Sequence, residues 1–251
     1  MDMSSYSWEE YKQIVFNFLK QKQYIYFRGQ SDAIWPLKTT FLRRSEKCGT
    51  TLSFYDDVII PQLIHPVREK YGKKFDIKNP HEYGSFLSLL QHYGFPTPLL
   101  DWTLCPYIAA YFAFKDPAEH IKVFVFDAES WHQPRHALPI RHVQSPYIHV
   151  TTVEPYDAGN PRVIAQKGKF TLNTTPDMEE YIKDHPANLF IQDNESFIQS
   201  IKMPGSEKIK AMRDLNLLGI NERSLCLERG GEFADLADAC RELSDRYFPH
   251  N

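Results

Sequence analysis

The fold is decided by residues 91–114, QHYGFPTPLLDWTLCPYIAAYFAF. A glycine ends the preceding helical pattern, and the prolines after it hold the backbone extended as far as Asp101-Trp102-Thr103. After Pro106 the apolar run YIAAYFAF predicts a buried helix, with Thr103 as its candidate cap and Pro106 in its first turn. The stretch therefore predicts a strand that leads into a helix, with a carboxylate, an indole and a hydroxyl at the junction.

Hydrophobic periodicity predicts further elements on both sides of this stretch. Helices are predicted over 7–20, 51–71, 85–94, 206–219 and 232–247. Strands are predicted over 24–30, 122–127 and 196–204, and a strand or hairpin over 161–172. The segments with weak periodicity predict loops and cover 128–160 and 173–195. We therefore expect one α+β domain over 1–251, with an N-terminal helix in 1–21 and a loop-rich insertion in 128–160.

Length and composition agree with one compact soluble domain. The chain has 251 residues, of which 42% are hydrophobic and 24% are charged, as in ordinary globular proteins. Aromatic residues make up 14%, a surplus that fills either an aromatic core or a stacking pocket. The formal net charge of -3 excludes a protein that binds polyanions through its overall charge, whereas a local basic patch is compatible with it.

Cysteine usage and the absence of long apolar runs bear on location. The four cysteines are far apart and show no zinc-ligand spacing, so they are interpreted as reduced thiols in a reducing compartment. They are Cys48, Cys105, Cys226 and Cys240. No secretory leader pattern is present, and no apolar run approaches the roughly 18 residues that a membrane span needs. A cytoplasmic protein without membrane attachment is expected.

The common cofactor and hydrolase motifs are missing from the sequence. It contains no GxxxxGK[ST], GxGxxG, HExxH or GxSxG, so nothing supports a phosphate loop, a dinucleotide fold, a zincin or a hydrolase elbow. Three polar clusters remain. The first is Phe27-Arg28-Gly29-Gln30 at a strand end, where the arginine fork suits phosphate and the glycine allows close approach of a ligand. The alternative is an arginine paired with a carboxylate such as Asp101 or Asp32.

The second cluster combines residues 91–97 with the Asp101-Trp102-Thr103 block. Its carboxylate, indole and hydroxyl precede a buried helix, where they can hold an aromatic ring and a ribose. The alternative is a helix cap with a core tryptophan, and a His92 that is a hydrogen-bonded core residue.

The third cluster runs from Arg162 to Phe170. Alternation in the predicted strand places Gln166 and Gly168 on one face with Arg162. A glutamine beside a glycine in such a position is structural in its alternative interpretation.

In that order, these clusters resemble the FRG domain family, which takes its name from Phe-Arg-Gly. The resemblance rests on YFRGQSDAIWPLKTTFLRR, QHYGFPTPLLDWTLCPYIAAYFAF, NPRVIAQKGKFTL and KIKAMRDLNLLGI with SLCLE, and covers about residues 22–245. The DWT block is its most specific part. The chain departs from the family pattern at Pro98, where members usually have arginine, and at Cys226-Leu227, where a Phe-Pro is usual.

The family is similar in layout to ADP-ribosyltransferases, which implies two small antiparallel sheets around a cleft that binds NAD, with flanking helices. By this resemblance Arg28 contacts the NAD phosphate or ribose, and Gly29 offers backbone hydrogen bonds to the nicotinamide amide. The nicotinamide ring stacks on Trp102 or Tyr26, and Thr103 steadies its ribose. The remaining residues expected to bind the cofactor are Phe27, Gln30 and Thr97.

The third catalytic position is the open point of this resemblance. The family pattern offers Gln166 there, and Glu195 and Glu228 are alternatives that carry a carboxylate. Departure of nicotinamide requires an acceptor near the ribose to stabilise positive charge on the sugar. Asp101 is a further candidate, so the expected catalytic residues are Arg28, Asp101, Thr103 and Gln166, with no metal.

The resemblance implies an NAD-dependent mono-ADP-ribosyltransferase that modifies a macromolecule, as a bacterial toxin or anti-phage effector, with an antitoxin protein as an expected partner. Nucleic acid, RNA or DNA, is slightly favoured over protein as the target. The basis is a group of cations near aromatic residues: Lys38, Arg43, Arg44 and Lys47.

Two other function classes stay open. A non-catalytic module would keep the cleft and bind a nucleotide or a protein, an interpretation that the lack of a glutamate at the third position favours. A metal-dependent nuclease would use Asp56, Asp57 and Asp101 with histidines, although their spacing does not suggest a metal site.

Overall fold

Six strands form one antiparallel sheet in the computed structural model. It describes residues 5–22, 24–72, 74–131, 148–154, 161–186, 196–225 and 234–249. The strands are β1 (Ile25–Gln30), β2 (Leu99–Thr103), β3 (His120–Asp127), β4 (Val150–Val153), β5 (Gly168–Asn173) and β6 (Ile198–Pro204). Their order in the sheet is β4-β5-β2-β1-β3-β6.

Helices flank this sheet in the described ranges. They are α1 (Trp8–Gln21), α2 (Thr40–Cys48), α3 (Leu52–Phe54), α4 (Ile60–Tyr71), α5 (Pro80–His92), α6 (Pro106–Phe114), α7 (Ala128–Trp131), α8 (Pro161–Ala165), α9 (Met178–Lys183), α10 (Lys208–Leu217), α11 (Glu222–Leu225) and α12 (Ala234–Tyr247). A π-helical segment, Tyr55–Ile59, joins α3 to α4. The α+β class is therefore confirmed.

Local sequence signals explain several of these helices. The predicted capping box at the start of α1 is present, because the Ser7 side chain accepts from the backbone of Glu10 and the Glu10 carboxylate accepts from the Ser7 N–H. The predicted helix over 51–71 appears as three consecutive helical segments. Pro61 lies in the first turn of α4, where its missing N–H costs little, and Pro66 lies inside that helix.

The sheet consists of two three-stranded halves that meet at a single residue pair. Strand β1 pairs with β3 at six positions, and β2 pairs with β5 at five. Between the central strands β1 and β2, only Phe27 and Thr103 are register partners. Two separate sheets were predicted, whereas the structure has one sheet with a weak central seam.

Three apolar clusters cover the sheet. The first packs α2, α4, α5 and α12 onto β2, β4 and β5. The second packs α1, α6 and α10 onto β1, β3 and β6. The third, which includes Tyr26, Leu100 and Trp102, lies on the other face. Because paired and alternate residues share a face, the Phe27–Thr103 pair places the first two clusters on the same side of the sheet.

Gly29 has a packing role at this point of the fold. A Cβ atom added to Gly29 would lie 1.9 Å from the backbone oxygen of Ala109 in α6. The absence of a side chain therefore lets β1 pack directly against this helix, and this steric need accounts for the glycine in Phe-Arg-Gly.

Two local predictions are wrong. Residues 161–165 form helix α8 and only Gly168–Asn173 form a strand, so Arg162, Ile164 and Gln166 do not share a strand face with Gly168. Thr103 does not cap α6, because Cys105 occupies the N-cap position and no side chain makes the capping hydrogen bond.

Parts of the chain with weak periodicity also contain regular structure. The predicted loop segment 128–160 contains α7 and β4, and residues 132–147 and 155–160 within it lie outside the described residues. Within the described ranges, no helix is long and apolar enough to cross a membrane. Cys48, Cys105 and Cys240 are free thiols, and burial raises the pKa of Cys240 to about 12.

Candidate functional site

A cavity of about 680 Å³ opens on the face of the sheet that carries the first two clusters. It lies beside the seam, and its walls come from β1, β2, β5, α2, α5, α6, α8 and the loop after β1. The residues that line it are Phe27, Arg28, Gly29, Gln30, Ser31, Trp35, Pro36, Arg43, Ser88, Gln91, His92, Asp101, Trp102, Thr103, Ile108, Ala109, Phe112, Lys115, Asp116, Arg162, Val163, Gln166, Gly168, Lys169 and Phe170.

The structure brings most of the predicted site residues to this one cavity, although they come from three separate parts of the sequence. Eight of the ten line it: Phe27, Arg28, Gly29, Gln30, Asp101, Trp102, Thr103 and Gln166. Tyr26 and Thr97 do not. The three polar clusters of the sequence therefore meet at the seam.

Arg28 crosses the seam between the central strands. One terminal nitrogen, Nη1, donates to the backbone oxygen of Asp101 at 2.7 Å and lies 3.8 Å from the Asp101 carboxylate. The Nε atom is buried and has no hydrogen-bond partner in the structure. Burial lowers the pKa of the Arg28 guanidinium, Asp101 opposes this shift and Arg43 adds to it. An anionic ligand in the cavity would compensate this poorly neutralised cation.

Asp101 is held by a short chain of hydrogen bonds. The Gln91 side-chain amide donates to Asp101 Oδ1 at 2.6 Å. The amide oxygen of Gln91 in turn accepts from the hydroxyl of buried Thr97. These two contacts fix which end of the Gln91 amide faces Asp101, whose side chain is 58% exposed. Thr97, predicted as a cofactor contact, supports the site from behind Gln91.

The polar groups of Thr103 and Gln166 form hydrogen bonds within the protein. The Thr103 hydroxyl donates to the backbone oxygen of Gln166 at 2.7 Å and accepts from the Cys105 N–H at 3.0 Å. The side-chain amide of Gln166 donates to the backbone oxygen of Leu225 at 2.9 Å. These bonds fix the turn between α8 and β5 and attach α11 to it.

The two rings predicted to stack on nicotinamide lie on the other face of the sheet. Trp102 is buried in the third cluster, where its indole N–H donates to the hydroxyl of Thr171 at 2.9 Å and its ring lies 5.6 Å from Phe126. Tyr26 also packs against Phe126. The alternative interpretation of Trp102 as a core residue agrees with this placement.

Several residues that line the cavity were missed by the sequence analysis or were given another role. Cations outnumber carboxylates in the lining: Arg28, Arg43, Lys115, Arg162 and Lys169 against Asp101 and Asp116, with Lys169 in an ion pair with Glu154 outside the lining. Exposed Trp35 supplies an aromatic ring. Position within YFRGQSDAIWPLKTTFLRR was the only signal for Trp35 and Arg43, and nothing in that segment distinguishes inward from outward side chains.

Three of the four cations that suggested a nucleic-acid groove have separate partners. Lys38 forms an ion pair with Glu46. Arg44 donates to Ser244 Oγ at 2.7 Å. Arg43 lines the cavity, and it donates to the backbone oxygen of Lys38 at 2.6 Å.

Two candidate residues cannot be located. Glu195 and Glu228, the alternatives for the third catalytic position, lie outside the described residues. In the described part of the chain, no group of three or more His, Cys, Asp or Glu side chains is arranged to hold a metal ion.

Comparison with protein families identifies an FRG domain. Residues 23–122 match the FRG domain model, which confirms the predicted resemblance over this part of the proposed 22–245. The matched segment includes Arg28, Arg43 and Asp101 but not Gln166. The chain matches no curated protein and no solved structure.

Proposed function

We propose that the protein is an NAD-dependent mono-ADP-ribosyltransferase whose NAD site is the cavity at the seam. The observation that carries the proposal is the pairing of a partly buried Arg28, whose Nε has no hydrogen-bond partner among the described residues, with an exposed carboxylate, Asp101, on the same wall. The finer resemblance to the ADP-ribosyltransferase fold is part of this proposal. The weak central seam supports it, because such a sheet approximates two small sheets around a cleft.

The residues present fit NAD in size and charge. A volume of about 680 Å³ falls within the range of about 300–1,000 Å³ that small-molecule sites occupy. The excess of cations in the lining suits a pyrophosphate, and the Arg28 guanidinium contributes a positive charge that the protein compensates incompletely. Arg28, Arg43 and the backbone of Gly29 are the groups that would hold it.

When bound, NAD supplies the ADP-ribosyl group and nicotinamide departs. Arg28 binds and orients the phosphate through its planar fork. Asp101 places a negative charge at the cavity wall, where it stabilises positive charge on the sugar. The carboxylate keeps its orientation because Gln91 binds Oδ1, and Oδ2, which lies 3.8 Å from Arg28 Nη1, accepts no hydrogen bond among the described residues. The proton released by the target nucleophile passes to solvent or to a base of the target complex.

The target is a macromolecule in this proposal, with nucleic acid favoured over protein. The excess of cations around the cavity supports a polyanionic target. The chain as a whole has a net charge of -3, so this positive charge is local to the site. We further propose that the cellular role is that of a toxin or anti-phage effector in the cytoplasm, controlled by an antitoxin protein.

Transfer of label from NAD tests the activity. Purified protein is incubated with NAD labelled in the adenylate phosphate and, in separate reactions, with total RNA, DNA and cell lysate. We expect label in a macromolecular fraction and equimolar release of nicotinamide. Asp101→Asn should strongly reduce both, and replacement of a surface carboxylate in α12, Asp238→Asn, should change neither. Folded protein that transfers no label and releases no nicotinamide would refute the proposal.

A non-catalytic nucleotide- or protein-binding module is the second candidate. It is favoured by one observation, namely that Thr103 and Gln166 use their polar groups in structural hydrogen bonds. Such a module would bind NAD without releasing nicotinamide, and Asp101→Asn would leave its affinity unchanged.

A further inference from the structure

Trp35 differs from the other tryptophans of the chain in its exposure. Trp8, Trp102 and Trp131 are 0%, 3% and 5% exposed, whereas Trp35 is 51% exposed. Its indole N–H makes no hydrogen bond within the described residues, and its ring lines the cavity. A large ring left half in water beside a cavity gains free energy when a ligand covers it.

The loop that carries Trp35 is fixed in place before any ligand binds. The side chain of Gln30 donates to the Pro36 backbone oxygen at 3.2 Å, and the Met178 N–H donates to the oxygen of Leu37 at 3.1 Å. At the start of the loop, the Ala33 N–H donates to the oxygen of His120 at 3.0 Å. Little conformational entropy would be lost when a ligand uses this ring, because its backbone is already ordered.

Cationic side chains line the same cavity as Trp35. The Arg43 guanidinium contacts the backbone of Lys38, three residues after Trp35, and lines the same cavity. Arg28 lies in the same lining, with its unpartnered Nε. An aromatic ring and two guanidinium groups in one cavity match a ligand in which phosphates are attached to a flat base through a sugar.

We propose that Trp35 stacks on the adenine base of an adenosine phosphate, while Arg43 and Arg28 bind its phosphates. This inference rests on the proposed function, because it assigns the adenine end of the NAD molecule to a definite residue. The nicotinamide ring of NAD is a cation, and the positive charges of Arg43 and Arg28 in the same cavity lining disfavour it there. Adenine is neutral and has no such penalty.

Tryptophan fluorescence tests the assignment without requiring catalysis. Trp35 is the half-exposed emitter, so its contribution responds to a ligand that covers it. We expect ADP-ribose and AMP to quench the emission saturably, and cationic nicotinamide mononucleotide to quench it much less. In Trp35→Phe most of the saturable quenching should disappear, because Trp8 and Trp131 do not line the cavity and Trp102 is only 3% exposed.

Calorimetry measures the loss of affinity in the same system. Trp35→Ala should bind ADP-ribose about 5- to 100-fold more weakly, the effect of removing one base–aromatic stack. Phe16→Ala is the matched control, because Phe16 is 52% exposed on α1 and does not line the cavity. Its affinity should equal that of the wild type. Circular dichroism verifies that each variant is folded.

The outcomes separate this inference from the proposed function. If folded Trp35→Ala binds ADP-ribose with the affinity of the wild type, the role of Trp35 is refuted and the proposed NAD site is unaffected. Equal quenching by nicotinamide mononucleotide and AMP would also overturn it. Quenching by an oligoribonucleotide but not by ADP-ribose would assign Trp35 to the target strand instead. If the wild type binds neither ADP-ribose nor NAD, both proposals fail.

Discussion

Two walls of the same cavity differ in how their polar groups are used. On the arginine wall, formed by Arg28 and Asp101, Arg28 Nε has no partner and the Asp101 carboxylate is largely exposed. On the glutamine wall, formed by Thr103 and Gln166, the hydroxyl and the side-chain amide N–H bond to the backbone of the protein itself. The arginine wall therefore has free capacity to bind a ligand, and the glutamine wall mainly stabilises the fold.

This difference changes which residues are expected to act on a substrate. The sequence pattern gave Gln166 the third catalytic position, but its amide already holds α11 through Leu225. The match to the FRG domain model contains the whole arginine wall and ends before Gln166. Asp101 is accordingly the better candidate among the described residues for the acidic catalytic group.

The largest expected effect is a loss of stability from a substitution that disturbs both walls. In Gly29→Ala the new Cβ would meet the backbone oxygen of Ala109 at 1.9 Å, so β1 must separate from α6. We expect a loss of about 3 kcal/mol or more in the free energy of unfolding, beyond the usual cost of overpacking. Urea denaturation measures it. Gly49→Ala is the control, since no atom lies near its Cβ and only its positive φ costs about 1 kcal/mol. Equal stability of the two variants would contradict this packing.

The second largest effect is expected on the rate of nicotinamide release, and it distinguishes the arginine wall from the glutamine wall. Asp101→Asn removes the charge of the arginine wall and keeps its shape, so nicotinamide release should fall about 100- to 1,000-fold, the effect of losing one electrostatic contact to the transition state. The affinity for ADP-ribose should change little. Steady-state kinetics and calorimetry check the two statements. A rate within threefold of the wild type would remove Asp101 from the mechanism.

A smaller effect is expected from the residue behind Asp101. Gln91→Leu removes the amide that holds Oδ1 and leaves the carboxylate in place, so kcat should fall about tenfold, the effect of a misplaced group, while KM stays within about twofold. Gln13→Leu, an exposed position on α1, is the matched control. A change in KM alone would show that Gln91 contacts the substrate and does not position Asp101.

The smallest catalytic effect is expected at the glutamine wall. Gln166→Ala should cost about 1 kcal/mol of unfolding free energy, the usual value for one hydrogen bond, and change the rate less than about twofold. Gln166→Glu should not raise activity, because a carboxylate cannot donate to the Leu225 oxygen. A clear gain of activity in Gln166→Glu would restore the family pattern at this position and contradict the comparison of the walls.

Local signals in the sequence were sufficient for most of the secondary structure. The capping box at Ser7 and the alternation in β3 each follow from interactions within a few residues, and these elements lie where they were predicted. The helix at 161–165 was mistaken for a strand, because its short apolar run is compatible with either period and is stabilised by contacts with Leu225, far along the chain.

Most site residues predicted from the sequence line one cavity, but the orientation of their side chains was not predicted. Alternation along β2 puts Asp101 and Trp102 on opposite faces, yet both faces of the sheet are covered by apolar clusters. Burial therefore gives no indication of which face holds the cavity, and Trp102 was assigned to the ligand although its ring is in the core. Trp35 was missed because its exposure depends on the conformation of its loop. Hydrogen bonds from Gln30 to Pro36 and from Met178 to Leu37 fix that conformation, and a local sequence pattern does not reveal them.

A crystal structure of the protein with ADP-ribose tests the central claim most directly. The account predicts that the ligand occupies the cavity at the seam, with a phosphate oxygen about 2.7–3.2 Å from the Arg28 guanidinium. The ribose that carries the reacting carbon should face Asp101. ADP-ribose bound elsewhere, or bound in the cavity with its phosphates away from Arg28, would contradict the claim that the arginine wall is the NAD site.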